Sequence, residues 1–282
     1  MTTATIQTAH NYPVQLTTFD PGSTPKGIVI IAPATGVKQT LYFKFSDYLK
    51  DHGYAVFTFD YGGIGASRNG PLSKFNTSAS AWGKNDLDGV IAHARKQYPE
   101  TKMFVVGHSI GGQLIGISPA GTKADSIVLV AAQTGYWKLW NGLQKYKMFM
   151  VWYFLIPVFT RMFGYFPGKK LGSSEDLPKD MALEWRKWCV SPNYLFDHLA
   201  DAADAYKTIH CPIYSYSVED DSYAPKITVD WLTNKYENAE ITRRHLTLQE
   251  LGVKKVGHFG FFRSKNKETI WKLFLNHFEN QL

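Results

Sequence analysis

The side chains best suited to covalent chemistry are a serine, a histidine and a group of acids that lie far apart in the chain. Ser109 stands in "MFVVGHSIGG", Met103 to Gly112, where four apolar residues run into a serine fenced by Gly107, Gly111 and Gly112. A Gly-x-Ser-x-Gly spacing alone is a common accident, so its surroundings decide its meaning. Here "MFVV" reads as a strand and "SIGGQLIGIS" as the start of a helix, which is the strand–turn–helix setting of a nucleophile elbow. Glycines beside the serine remove side chains that would clash in so tight a turn. The helix start adds free N–H groups and a positive dipole end.

A hydroxyl is a weak nucleophile and needs an adjacent base. Of the nine histidines, His258 is the best placed, in "VGHFGFF", a glycine-flanked loop between the strand-like "EITRRHLTL" and the terminal helix "ETIWKLFLNHFEN". That position is the carboxyl end of the last strand, where α/β sheets gather their chemistry. His108 neighbours Ser109 but lies on the elbow and is expected to point elsewhere. A carboxylate must orient the imidazole and stabilise its cationic form. The stretch "SVEDDSYAP" offers Glu219, Asp220 and Asp221, in the chain order serine, acid, histidine. Backbone donors must also meet the negative charge that develops on the attacked carbonyl, each contributing about 3 kcal/mol. Ile110, directly after the serine, supplies one N–H, and the "PATGV" loop after "GIVIIA" is the expected source of the other.

These side chains require a scaffold that brings strand ends together. Short apolar runs, "GIVIIA" (Gly27 to Ala32), "YAVFTFD" (Tyr54 to Asp60), "MFVVG", "DSIVLVAA" (Asp125 to Ala132) and "PIYSYSVED" (Pro212 to Asp220), read as strands. Continuous rather than alternating apolar character indicates strands covered on both faces, as in a parallel sheet. Helical patterns separate them: "LYFKFSDYLKDHG", ending on Gly53, and Trp82 to Tyr98, with Leu87, Val90, Ile91 and Ala94 on one face and Pro99 as its stop. The alternation predicts a mostly parallel, doubly wound α/β sheet. It breaks between about Gln133 and Tyr206, where aromatic and basic residues crowd and Asp and Glu are missing from "YWKLWNGLQKYKMFMVWYFLIPVFTRMFGYFPGKK". The expected organisation is a core of residues 1–132 and 207–282 with a helical cap insertion at 133–206.

At this point the chain resembles the α/β-hydrolase superfamily over nearly its full length, through "GHSIGG", "DYGGIGAS" and "VGHFGFFR". "GHFGFFR" and "DLPKDMALEWRKWC" are similar to a bacterial subfamily of serine hydrolases known mainly by sequence. The resemblance implies an α/β-hydrolase fold with Ser109, Asp221 and His258 as triad. Asp221 is preferred because the superfamily's acid often stands four residues before a proline, here Pro225; Asp220 is the alternative. By likeness to the superfamily's His-Gly-X turn, Thr35 rather than Ala34 is the second oxyanion donor, although Pro33 and Ala34 stand where His and Gly are common. "DYGGIGAS" corresponds to a structural turn, with Gly62 in a position usually held by Arg.

Composition excludes other classes. The formal charge is +7, with Lys and Arg spread along the chain. No helix-turn-helix, zinc-knuckle or RNP signature accompanies them, so no nucleic acid is expected as a partner. There is no metal-ligand cluster, and the glycine-rich turn lacks the ending of a phosphate loop, so neither metal nor cofactor is expected. The opening "MTTATIQTAH" lacks the basic and apolar regions of a secretory signal. The two cysteines, Cys189 and Cys211, read as free thiols, and a cytoplasmic location is expected. "MFMVWYFLI" (Met148 to Ile156) is too short to span a bilayer, which takes about twenty apolar residues. Three readings of it stand: cap core, lining of an apolar substrate pocket, or contact with a membrane surface through aromatics and neighbouring bases. The expectation is a serine esterase or thioesterase acting on a small molecule with an apolar portion. Acyl transfer on the same triad, and a non-catalytic ligand-binding protein that keeps the fold, are the alternatives.

Overall fold

Runs of β-branched and aromatic residues that are apolar on both faces can be satisfied only when helices cover the sheet above and below. The computed structural model describes residues 1–8, 12–172 and 174–282; residues 9–11, which include His10, and Ser173 lie outside it. The described residues form ten strands: β1 (Thr2–Gln7), β2 (Pro13–Phe19), β3 (Gly27–Ala32), β4 (Tyr54–Phe59), β5 (Met103–His108), β6 (Ser126–Val130), β7 (Tyr165–Phe166), β8 (Leu177–Pro178), β9 (Ile213–Val218) and β10 (Ile241–Leu246). Eight make one sheet in the order β1-β2-β4-β3-β5-β6-β9-β10. The pairs from β4 through β10 are parallel, whereas β2 runs antiparallel to both β1 and β4. This is the mostly parallel sheet of an α/β-hydrolase fold.

The N-terminal pair β1–β2 is an addition to the elements read from the sequence. β1 ("TTATIQ") is almost wholly exposed and carries little apolar residue to announce it. It forms by pairing along β2, from Thr2 opposite Thr18 to Gln7 opposite Pro13.

Alternate side chains of the central strands divide between two cores. Val29, Ile31, Val106 and Val128 pack with Phe45 of helix Phe43–Asp51 and Phe274 of helix Lys272–Glu279. Ile28, Ile30, Val105 and Leu129 pack on the other face, with Val90 of helix Asp88–Gln97 and Leu114 of helix Ile110–Ile115. Between β6 and β9 the chain is mainly helical, including Gly142–Met150, Ile156–Phe163 and Lys179–Val190, with a small β7–β8 ladder. Met148, Trp152, Ile156 and Trp188 from this stretch join the second core. Cys189 and Cys211 are free.

Close approach of helix Ile110–Ile115 to the sheet explains the glycines around Ser109. A Cβ on Gly107 would come within 2.4 Å of Gly112 Cα, one on Gly111 within 2.2 Å of the Ala32 carbonyl oxygen, and one on Gly112 within 2.4 Å of Ala132 Cβ. Gly112→Ala should therefore destabilise the fold by about 1–3 kcal/mol through overpacking. The midpoint of urea unfolding measures it, and an unchanged midpoint would mean the helix can move off the sheet freely.

Candidate active site

β5 delivers its chain into the turn at Ser109, whose φ of 55° and ψ of −119° lie in a region that side chains other than glycine rarely occupy. Such a backbone costs about 1–3 kcal/mol and persists only where surrounding contacts over-determine it. Those contacts are present. Ser109 N–H donates to the Val130 carbonyl at 2.9 Å, and Gly112 N–H donates to the Ser109 carbonyl at 3.0 Å. Three tyrosines hold the helix that follows: Tyr236 donates to the Gly112 carbonyl at 2.9 Å, Tyr206 to the Gln113 carbonyl at 2.5 Å, and Tyr194 to Gln113 Oε1 at 2.7 Å.

His258 lies on a one-turn helix, Gly257–Gly260, where a loop was expected. Its Nδ1 donates to Asp221 Oδ2 at 2.7 Å, and both residues are buried. A carboxylate can only accept at that contact, so a proton sits on Nδ1, and in the neutral ring Nε2 is the nitrogen with the lone pair. The second oxygen of Asp221 accepts the N–H groups of Tyr223 at 2.9 Å and Ala224 at 3.1 Å. Asp220, the alternative acid, has another task. Its two oxygens accept the N–H groups of Val256 at 2.9 Å and Gly257 at 2.9 Å, tying the turn that carries the imidazole to the end of β9. The adjacent acids thus divide the work: Asp221 meets the ring and Asp220 its backbone.

The Ser109 hydroxyl shares no hydrogen bond with His258 among the described residues; its polar neighbour is the Gln133 side-chain amide at 3.5 Å. Gln133 Nε2 also donates to the Tyr223 carbonyl at 3.3 Å, so this amide links the serine to the acid loop. Sequence reasoning passed over Gln133. The available signal was its place just beyond the carboxyl end of β6, where an α/β sheet places its ligands.

The His108 side chain bonds to the backbone of the histidine turn and to Tyr42 rather than to the serine. It is fully buried, and its Nε2 meets the His258 carbonyl at 3.0 Å. A carbonyl only accepts, so Nε2 carries the proton and Nδ1 accepts from the Tyr42 hydroxyl at 2.9 Å. That hydroxyl in turn accepts the Ala34 N–H at 2.9 Å. One directed chain of bonds therefore runs from the loop after β3, through the end of β5, to the backbone of His258.

The same chain bears on the oxyanion donors. Ala34 spends its N–H on Tyr42, whereas Thr35 N–H has no hydrogen-bond partner among the described residues, and Thr35 Oγ1 is buried without one. Ile110 opens its helix, so its N–H has no acceptor one turn back within that helix. The turn Asp60–Ser67 is a structural clasp. The Asp60 carboxylate accepts Gln39 N–H at 2.7 Å and Ala66 N–H at 2.8 Å, and burial raises its pKa above the usual carboxylate range.

These features define an α/β hydrolase by fold and by the geometry of its elbow. The family model described as "Serine aminopeptidase, S33" (Hydrolase_4) matches residues 23–175, more than half of the chain, and the chain belongs to that family. Monoglyceride lipase of Rattus norvegicus is 26% identical over 117 residues, a stretch covering 40% of this chain and 37% of the rat protein. A thermostable carboxyl esterase from Bacillus coagulans superposes with a TM-score of 0.68 at 11% identity, over 99% of this chain and 98% of its own. Monoacylglycerol lipase from Paleococcus ferrophilus gives 0.61 at 16% identity, over 95% and 99%. At those identities the two structures bear on the fold alone.

Burial, with a smaller contribution from the neighbouring His258, drives the pKa of His108 well below that of a free imidazole. The unfolded chain takes up a proton below about pH 6.5 that native His108 refuses. Stability must then fall as pH drops through that value. Urea midpoints between about pH 7 and pH 5 should fall less steeply for His108→Gln than for wild type, by about one proton in slope. His277, which burial lowers to about 4, contributes its own share in both proteins. Equal slopes would mean that His108 titrates normally in the folded state.

Proposed function

We propose that this protein is a serine hydrolase that cleaves a carboxylic ester or thioester with an apolar portion through an acyl-enzyme. The observation that carries the reading is the buried His258–Asp221 pair at 2.7 Å, held at the strand ends beside a serine whose backbone is forced out of ordinary conformations. With Nδ1 committed to Asp221, His258 Nε2 is left to take the proton of the Ser109 hydroxyl once that hydroxyl leaves the Gln133 amide. Catalytic hydrogen bonds of this kind are often long before substrate arrives. Ser109 Oγ attacks the carbonyl carbon, and the N–H groups of Ile110 and Thr35 receive the oxyanion. His258 then returns the proton to the leaving alcohol or thiol. Water attacks the acyl-enzyme in the second half, with His258 again as base.

An ester fits this chain better than a peptide with a free amino terminus. A carboxylate is the strongest partner for an α-ammonium, and Asp220 and Asp221 beside the histidine are both committed. No Asp or Glu occurs between Asp125 and Glu175, and Glu175 itself pairs with Lys38 and Lys169. We assign residues 133–206 as a cap over a core of 1–132 and 207–282, its inward aromatics bounding the acyl or alcohol portion.

A panel of p-nitrophenyl esters and acyl thioesters of graded chain length tests the reading. Wild type should hydrolyse members of it, with Ser109→Ala reduced to background. Asp221→Asn should lose about 10⁴-fold in kcat, as expected when the imidazole is held in the wrong tautomer. Asp220→Asn should lose far less, since it meets backbone only. Folded wild type inactive across the panel, or Ser109→Ala equal to wild type, would overturn the proposal.

A further inference from the structure

The longest helical run of the insertion, Gly142–Met150 continuing through the turn Val151–Leu155 into Ile156–Phe163, is apolar on two opposite sides. Met148, Trp152, Ile156 and Thr160, four residues apart, form its buried side. Leu143, Tyr146, Met150, Phe154, Val158 and Met162 recur at intervals of three or four along the other, and all are exposed, Leu143 by 88%, Tyr146 by 69% and Met162 by 66%. A helix apolar all round normally has both sides covered. An exposed apolar stripe of this extent marks an interaction surface.

The surrounding charge identifies what covers it. From Ser126 to Ser174 there is no Asp or Glu, whereas Lys138, Lys145, Lys147, Arg161, Lys169 and Lys170 all fall within it. Only Lys169 of these is ion-paired among the described residues. Several of the others lie over the aromatics: Lys138 and Lys145 each 5.8 Å from the centre of a Trp137 ring, and Lys170 5.5 Å from that of Phe163. Apolar and aromatic side chains with flexible bases beside them match the two layers of a bilayer interface, acyl chains beneath and anionic headgroups above. A second copy of this chain would bring the same unpaired positive charge against itself. No helix among the described residues is long and apolar enough to cross a membrane, so the contact is one of lying on the surface.

We propose that this outward helix face docks the protein on an anionic phospholipid surface. The face adjoins the candidate active site. Lys147 lies 5.7 Å from the centre of the Tyr223 ring, which is itself 5.5 Å from the His258 ring, and Trp140 Nε1 donates to the Ser222 carbonyl at 3.0 Å. Docking thus sets the acid loop and the histidine near the lipid boundary. The proposal rests on surface chemistry and holds whether or not Ser109 is a nucleophile.

Cosedimentation with vesicles of phosphatidylcholine alone, and with a quarter phosphatidylglycerol, tests it on the full chain. Wild type and Ser109→Ala should both bind the anionic vesicles at least about tenfold more tightly than the neutral ones, since each base near such a surface strengthens partition about fivefold. The triple variant Leu143→Ser, Tyr146→Ser, Met162→Ser should lose binding about tenfold or more with an unchanged circular dichroism spectrum. Lys145→Ala with Arg161→Ala should weaken it by a similar factor on anionic vesicles only. Wild type that stays in the supernatant with both vesicles, or a triple variant that binds as well as wild type, overturns the proposal. So does a dimer in sedimentation velocity that the triple variant abolishes while vesicle binding is absent, which would assign the face to a second copy.

Discussion

The close packing of one short helix against two strands is the constraint on which the candidate site depends. At Gly107, Gly111 and Gly112 there is no room for a single further carbon. With the helix this near the sheet, the chain has one residue, Ser109, in which to reverse from strand to helix. That residue accepts a positive φ that a side chain ordinarily avoids. Strain of this kind persists because bonds on all sides hold it, from Val130 of the neighbouring strand to the three tyrosines on the helix. The approach that strains Ser109 also packs the first turn of the helix against the end of β3, where a Cβ on Gly111 would collide with the Ala32 carbonyl.

From that packing the rest of the site is arranged by directional hydrogen bonds. Ala34, Tyr42, His108 and the His258 carbonyl form one chain in which each group's role follows from the next, because the last member can only accept. A buried network that is fully satisfied specifies a single geometry, and losing one member leaves the others unpaired at the cost of their desolvation. The loop after β3, the elbow and the histidine turn are therefore coupled. Asp220 adds a second tie to the histidine turn, and Asp221 orients the ring itself. Burial keeps His108 neutral, so the relay stays intact at pH values where a surface imidazole would be charged.

The parts of this arrangement legible in the sequence were those with a local cause. Apolar runs marked the central strands because both faces are covered, and glycine spacing marked the elbow because only glycine fits there. The exposed strand β1 left no such trace, since pairing with β2 rather than composition forms it. Tyr42 and the role of His108 are relations between distant segments, with no fixed spacing to reveal them. Distance from Pro225 favoured Asp221 over Asp220 in the sequence, but the separate task of Asp220 shows only in the direction of its side chain. The apolar run at Met148–Ile156 contained inward and outward residues together; burial sorts them, with Trp152 packed inside and Phe154 bare.

The role proposed for Ser109 is that of the activated nucleophile of this fold. Incubation with an alkyl fluorophosphonate, followed by peptide mass spectrometry, tests it most directly. One phosphonyl adduct per chain is expected, on Ser109, its formation slowed by orders of magnitude in His258→Ala. A well-folded protein that forms no adduct, or one modified at another residue while Ser109 stays free, would contradict it.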